Sequence, residues 1–310
     1  MIQDIIIYDL IIIGGGPAGI AAGIYAARKK LKTLLIARDF IGQAGKAVVV
    51  DNYPGIEEIS GAELMGKFKK HLEKFEIDIR EGKPVREIRK EEGVFEVTIP
   101  KENKYLAKAV IIASGRDPRP LKVLGEKEFL GKGVSYCATC DGILFKGKTV
   151  AVIGGGNAGF YSALELAKYC PKVYIFEGGE VVRADEIVQE MVRKTGKTEV
   201  ICNVEISEIR GRDFVSSLIY KNRASGKIGE IPVKGIIIEI GSIPATSFVK
   251  DLVDFTERGE IRIDLRTGAT KTLGLFAAGD VTEVRDKQII IAAAEGTKAL
   301  LSAYNYLQAL

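Results

Sequence analysis

Apolar positions along this chain arrive in short blocks, each closed by a turn signal. The first block runs from Ile5 to Ile13, broken only by Asp9, and ends on glycines. That pattern predicts a buried strand. Pro17 to Lys30 then carries helical spacing, and Pro17 fits the first turn, where its missing N–H is not needed. Lys32 to Ile36 is the next strand. Ser60-Gly-Ala-Glu63 is a capping box opening a helix that runs to about Phe75. Between Pro84 and Ile112, β-rich runs alternate with charged turns. Thr149 to Ile153 repeats the opening pattern and again ends on glycines. It is followed by a predicted helix, Asn157 to Tyr169, and a strand, Lys172 to Phe176. Asp185 to Lys194 reads as a helix. Val204 to Ile240 is strand-rich, with turns at Gly211 and Ser225-Gly226. The last element is a long helix, about Gln288 to Leu307.

The two glycine-closed blocks resemble each other. Asp9-Leu-Ile-Ile-Ile-Gly14-Gly-Gly16-Pro-Ala-Gly19 matches Thr149-Val-Ala-Val-Ile-Gly154-Gly-Gly156-Asn-Ala-Gly159. Strand, glycine turn and Ala-rich helix recur in the same order, which predicts a duplicated nucleotide-binding unit. Two Gly/Pro segments follow apolar strands: Ala113 to Pro120, and Gly241-Ser-Ile-Pro244-Ala. Read as crossings, they predict that one unit is inserted into the other. The expected fold class is α/β, with two Rossmann-like dinucleotide-binding domains. Residues 1–115 and 246–310 are expected to form one domain, and residues 116–245 the domain inserted into it.

Composition narrows the function. Apolar residues make up 46% of the 310, enough for sizeable cores, and the net charge of +4 describes an ordinary surface with a mild bias towards an acidic partner. No stretch joins a dense basic run to aromatics, so nucleic acid is not an expected partner. The opening apolar block is too short to span a bilayer. It also lacks the basic start and small-residue cleavage site of a signal peptide. The expectation is a cytoplasmic protein with no membrane association. Four cysteines do not make a disulfide framework; in a reducing compartment a close pair is catalytic or metal-binding. The abundance of Ile, Lys and Glu leans towards a thermophilic source.

Gly14-x-Gly16-x-x-Gly19 supplies what a pyrophosphate needs: a tight turn, a close backbone approach, and a helix N-terminus facing the anion. Gly154-x-Gly156-x-x-Gly159 does the same. Two such turns imply two dinucleotides, and FAD with a nicotinamide cofactor is the usual combination. Glu177 closes the strand after the second turn, where an acid accepts hydrogen bonds from both ribose hydroxyls; a solvated strand-end carboxylate is the alternative. Cys137-Ala-Thr-Cys140-Asp141 is the third constellation. A C-x-x-C pair can close a small disulfide and activate one thiol. A structural zinc site needs four ligands. Cys170, Cys202 and His71 stand apart in sequence, which favours a dithiol and no metal; two inert buried cysteines is the other reading.

Taken in order, these motifs resemble the low-molecular-weight thioredoxin reductase family along essentially the whole chain. The resemblance rests on the first glycine turn, Asn52-Tyr-Pro-Gly55, Ala113-Ser-Gly115, Cys137-Ala-Thr-Cys140-Asp141, Ala278-Gly279-Asp280-Val281 and Lys287-Gln288-Ile289. The second half also resembles the flavoprotein subunit of alkyl hydroperoxide reductase, through Ile175-Phe176-Glu177, Ser225-Gly226 and Lys287 to Ala293. That subunit carries an extra redoxin-like domain before the first nucleotide strand, so this chain is expected to use a separate redoxin.

The resemblance implies that FAD is bound by Gly14, Gly16, Pro17, Ala18, Gly19, Gly42, Gln43, Asn52, Ala113, Gly115, Gly279, Asp280, Lys287, Gln288 and Ile289. The nicotinamide cofactor falls to Gly154, Gly156, Asn157, Ala158, Gly159, Glu177 and Arg183. Cys140 is implied to be the flavin-proximal sulfur, Cys137 to attack the partner, and Asp141 to manage the proton. The partner is thioredoxin or a glutaredoxin-like redox protein, and the assembly a homodimer. Both the nicotinamide and the cysteine pair must reach the flavin from one domain; the family solves this by rotation, with the two crossings as hinges.

Two departures matter. The family's His-Arg-Arg…Arg motif, which binds the NADPH 2′-phosphate, is replaced by Glu177-Gly-Gly-Glu180-Val-Val-Arg183, so only Arg183 remains. A carboxylate there suits a free 2′-hydroxyl, and NADH is expected over NADPH. A donor such as ferredoxin or another reduced flavin is the alternative, as is a flavin redox sensor without turnover. Ile41-Gly42-Gln43 stands where the family has Gly-Gly-Gln.

Overall fold

The computed structural model describes residues 6–47, 49–100 and 104–310. Ile5, at the start of the first predicted strand, lies outside them, as does part of the β-rich stretch before Ile112. The chain divides into two compact units, Met1–Asp117 with Ile243–Leu310, and Pro118–Ser242. The first stretch supplies β1 (Ile7–Ile13), α1 (Pro17–Arg28), β2 (Thr33–Ala37), α2 (Gly61–Leu72), β3 (Asp78–Glu81), β4 (Glu87–Glu91), β5 (Val94–Thr98) and β6 (Lys104–Ile112). After β7 (Arg116–Pro118) come β8 (Val134–Ser135), α3 (Ala138–Asp141), β9 (Thr149–Ile153), α4 (Asn157–Ala167), β10 (Lys172–Phe176), α5 (Glu186–Lys194) and β11 (Thr198–Ile201). Then follow β12 (Val204–Gly211), β13 (Val215–Asn222), β14 (Ile228–Pro232) and β15 (Gly235–Ile238). The chain returns through β16 (Ser242–Pro244) to β17 (Leu275–Ala277) and α6 (Ile289–Gln308). The mixed α/β fold with two Rossmann-like domains is therefore present.

In the first unit, seven of the described strands form one sheet in the order β3-β2-β1-β6-β5-β4, with β17 also on β6. Strands β1, β2, β3, β6 and β17 run parallel; β5 and β4 return antiparallel. β6 divides its partners along its length: Lys104 to Ala107 pair with β5, and Val110 to Ile112 with β17. Both faces of the parallel part are covered, which is why its strands read as unbroken apolar runs. Leu10, Ile12, Leu35 and Ile111 face the helices with Ile20, Leu72 and Leu300. Ile11, Ile13, Leu34 and Val110 face the other way, onto Phe95, Val97 and Ile261. Each such side chain contributes about 1.5–3 kcal/mol on burial.

The inserted unit repeats the plan. Its parallel sheet has the order β11-β10-β9-β15-β8. Val150, Val152 and Ile175 pack on Phe160, Leu166 and Val188 of α4 and α5. The opposite face, with Ala151, Ile153 and Ile236, is covered by the antiparallel β12-β13-β14 through Val204, Ile209 and Leu218.

Helix ends differ from the sequence reading by a few residues. α1 stops at Arg28 because Lys30 takes a left-handed φ of 57° and turns the chain into β2. Asp185 is the N-cap of α5 rather than its first residue. Ser60 and Glu63 do close a capping box on α2, an arrangement that contributes about 1 kcal/mol. The two crossings pair with each other as a β16-β7 ribbon, extended by Arg119 N–H to Gly241 O at 2.9 Å and Ala245 N–H to Gly115 O at 3.0 Å.

Candidate active site and cofactor cradles

The first cradle is the turn from β1 into α1. Gly14 N–H donates to Ile36 O at 2.8 Å, which fixes the turn on β2. Gly14 has φ +124°, and a Cβ there would lie 2.1 Å from Ala113 O, so only glycine fits. Gly16 is the opposite case: nothing lies within 4 Å of an added Cβ. The α1 N-terminus has Gly16 as N-cap, Pro17 first in the helix, and no side-chain cap. The orphan N–H groups there are open to an anion.

Two other predicted residues, Ala113 and Gly279, touch this turn, and others are tied to partners elsewhere in the same unit. Ala113, which follows β6, lies against Gly14, Gly115 comes two residues later, and a Cβ at Gly279 would fall 3.1 Å from the Ala18 Cβ. Asn52 Nδ2 donates to Gln288 Oε1 at 3.2 Å, joining two candidate flavin contacts far apart in sequence. Gln288 is the N-cap of α6 and Ile289 its first residue. Gly42 N–H donates to Asp39 Oδ1 at 2.7 Å, and Gln43 Nε2 to Arg116 O at 3.0 Å. Burial pushes the Asp280 carboxyl above its ordinary value, while the Lys287 and Arg116 charges pull it down. Lys287 is itself drawn to Glu260, 3.3 Å away, which Arg116 also meets at 2.9 Å.

The second cradle, from β9 into α4, repeats the first. Gly154 has φ +127°, a Cβ there would lie 2.2 Å from Glu239 O, and Gly156 again faces open space. Asn157 is tied to Asp185 by two hydrogen bonds, of 2.9 and 2.7 Å. Ala158 is exposed in the first turn of α4. Glu177 is buried, with Oε2 accepting from Gly155 N–H at 2.8 Å and Oε1 from Gly179 N–H at 2.7 Å. Each carboxylate oxygen has a further lone pair for a ligand hydroxyl. The exposed Arg183 guanidinium stands 3.9 Å from Glu177 Oε2.

Cys137 and Cys140 are joined as a disulfide with Cα atoms 5.3 Å apart. Cys137 ends β8's extension and caps α3; its sulfur accepts from Cys140 N–H at 3.1 Å. Cys137 is buried and Cys140 exposed. Asp141 does not stand alone: Ser135 Oγ donates to its Oδ2 at 2.5 Å and accepts from Cys137 N–H at 3.0 Å. Asp141 also lines a cavity of about 350 Å³ with Ser135, Leu144, Phe145 and Lys148. Glu126, 3% exposed, accepts from Leu121 and Lys122 N–H and from the Tyr136 hydroxyl beside the pair. Burial, with Glu126, raises the Tyr136 phenol above its usual value. The sequence reading missed Ser135 and Glu126. Ser135 stands two residues before Cys137 and was within reach of suspicion; Glu126 carries no local signal.

The pyridine nucleotide-disulphide oxidoreductase family model matches residues 8–296. This chain belongs to that family. The family is one of oxidoreductases, and it implies FAD and a nicotinamide cofactor. The uncapped helix starts and the open faces of Gly16 and Gly156 fit two pyrophosphates. Two solved structures of the family are similar over nearly the full chain. The T. acidophilum thioredoxin reductase is 39% identical, with TM-score 0.87, covering 96% of this chain and 98% of that one. The Lactococcus lactis thioredoxin reductase is 36% identical, with TM-score 0.89, covering 98% and 100%. An alkyl hydroperoxide reductase subunit of Staphylococcus aureus is 38% identical over 300 residues, 97% of this chain. The chain spans 59% of that relative's length. Among the described residues, no helix is long and apolar enough to cross a membrane, and no group of three His, Cys, Asp or Glu side chains could hold a metal ion.

Proposed function

We propose that this protein is a disulfide reductase that draws on NADH and, through FAD and the Cys137–Cys140 pair, reduces thioredoxin or a similar small redoxin. The observation that carries this reading is the Cys137–Cys140 disulfide with Asp141 beside it, in the unit that also bears the second glycine turn and Glu177. When bound, the nicotinamide would supply a hydride and the flavin would relay its electron pair to the disulfide. The remaining work belongs to the chain's own residues.

Gly14 to Gly19, with Ala113, Gly115, Gly279 and Asp280, would hold FAD; Gly42, Gln43, Asn52, Lys287, Gln288 and Ile289 would complete its site. Gly154 to Gly159, with Asn157 and Ala158, would hold the second pyrophosphate. Glu177 would accept the ribose hydroxyls and repel a 2′-phosphate, with Arg183 at the rim. Two electrons and two protons convert the disulfide to the thiols of Cys137 and Cys140, with Asp141 holding or moving one proton, oriented by Ser135. The Cys137 thiolate then attacks one sulfur of the partner's disulfide, and the other sulfur leaves as a thiolate. Cys140 attacks the mixed disulfide, which restores the Cys137–Cys140 bond and releases a reduced partner. The N–H of Cys140 aimed at the Cys137 sulfur supports Cys137 as this nucleophile. Its burial means that the partner-facing arrangement must uncover it. A cytoplasmic homodimer is part of the same reading.

Turnover measured with NADH and NADPH in parallel, with a redoxin and a disulfide dye, tests the proposal; comparable rates with NADPH refute the role of Glu177. Cys137→Ser should abolish redoxin reduction and trap no partner, whereas Cys140→Ser should trap a mixed disulfide. The lack of the family's arginine cluster favours one second reading, a ferredoxin or reduced-flavin donor. It predicts no turnover with either nicotinamide while chemically reduced protein still reduces redoxin.

A further inference from the structure

Glu295 lies in the second turn of α6, is buried, and has no part in the reaction proposed above. A carboxylate taken out of water persists where it is hydrogen-bonded or paired. Burial pushes the Glu295 carboxyl up, and its one backbone donor opposes this: Gly279 N–H reaches Oε2 at 2.8 Å. That donor belongs to the residue before Asp280. The rest of the turn is held independently. Gly279 O accepts from both the N–H and the hydroxyl of Thr282 at 2.9 Å, and Thr282 O accepts from Lys287 Nζ at 2.5 Å. The same corner includes the start of α1. A Cβ on Gly296 would fall 2.0 Å from Ala18 O, so glycine lets the two helices touch backbone to backbone. Ala18, Gly279 and Glu295 therefore meet where the first cradle joins the Asp280 turn.

We propose that Glu295 is a positioning residue for FAD: through the Gly279 N–H it locks the turn bearing Asp280 against the first turn of α1. This rests on the FAD reading. The carboxylate accepts the Gly279 N–H at a position only 6% exposed, so a turn without it would have an unpartnered N–H and a looser Asp280.

The test uses the holoprotein and two variants. Glu295→Gln keeps an acceptor oxygen at the same reach; Glu295→Ala removes it. FAD release is followed by the rise in flavin fluorescence on dilution, with the visible flavin spectrum as a second readout. The Ala variant should release FAD about tenfold faster than the parent, and the Gln variant within about twofold of it. Release from the Ala variant at the parent rate overturns the inference alone. So does equal acceleration in both variants, because bulk or charge rather than the acceptor would then matter. Where the Ala variant does not fold, Glu295→Asp, one methylene too short, takes its place with the same expectation. A parent protein that holds no FAD overturns the cofactor reading, and the inference with it.

Discussion

The two glycine turns share a backbone, and the strand beside each ends on a different side chain. Gly14 and Gly154 have φ +124° and +127°, and a Cβ on either would strike a carbonyl oxygen at 2.1 or 2.2 Å. Gly14 N–H bonds Ile36 O and Gly154 N–H bonds Phe176 O, both at 2.8 Å. One residue further along the second strand, the registers part: the first cradle has Ala37, the second Glu177. In the second, the glycine that follows gives its N–H to a carboxylate. In the first, a Cβ on the matching Gly15 would meet the backbone oxygen of Asp39. On the function proposed above, the duplicated backbone would receive either pyrophosphate, and what distinguishes the nucleotides would be added at the strand end.

The largest effect expected comes from breaking one turn at a time. Gly14→Ala should yield protein without bound FAD. Gly154→Ala should keep the flavin absorbance but lower NADH oxidation about a hundredfold or more, since the second pyrophosphate loses its turn. Equal loss of FAD in both would end the proposed division between them.

Next is the side chain that separates the cradles. Glu177→Ala should lower kcat/KM for NADH about ten- to a hundredfold, as loss of hydrogen bonds to a charged acceptor predicts. It also strips the Gly155 and Gly179 N–H groups of their partner, lowering unfolding free energy by about 1–3 kcal/mol in a denaturant titration. The reverse change, Ala37→Glu, puts a long acid at a position 1% exposed; overpacking should cost about 1–3 kcal/mol with no gain in FAD retention.

Smaller effects follow at the dithiol. Ser135→Ala should slow redoxin reduction about three- to tenfold while NADH-driven flavin reduction, followed by stopped flow, is unchanged; Ser135→Thr should restore most of the rate. Smallest is a thiol readout of the Glu177 corner. Burial, then the Glu177 charge, raises the Cys202 thiol, so Glu177→Gln should speed its alkylation about two- to threefold. Cys170, pushed up to about 11 by burial, should label only after unfolding, which peptide mass spectrometry would show.

Much of this was legible in the sequence because it is local. The strand, glycine turn and helix of each cradle lie within a short stretch, and the Ser60–Glu63 box announces α2. The cysteine pair is a local signal too, and the Gly/Pro crossings were visible at Ala113 and Gly241. What sequence could not give was set by distant partners. Glu295 reads as one polar residue in an Ala-rich helix until Gly279 folds onto it. Ser135 gains its partner only when α3 brings Asp141 back beside it. The exposure difference between Cys137 and Cys140 depends on tertiary packing, and spacing carries no trace of it.

The divided pairing of β6 bears on the order in which the chain can be completed during synthesis. Its first half finds β5 almost as soon as both have left the ribosome. Its last three residues, Val110 to Ile112, wait for β17, which emerges only after the whole inserted unit. Until then an apolar strand edge stands open, the kind of edge that recruits other chains. The inserted unit, contiguous in sequence, can fold during that interval. Truncation just before Leu275 should therefore leave a well-formed second unit tethered to a sticky, unfinished first one.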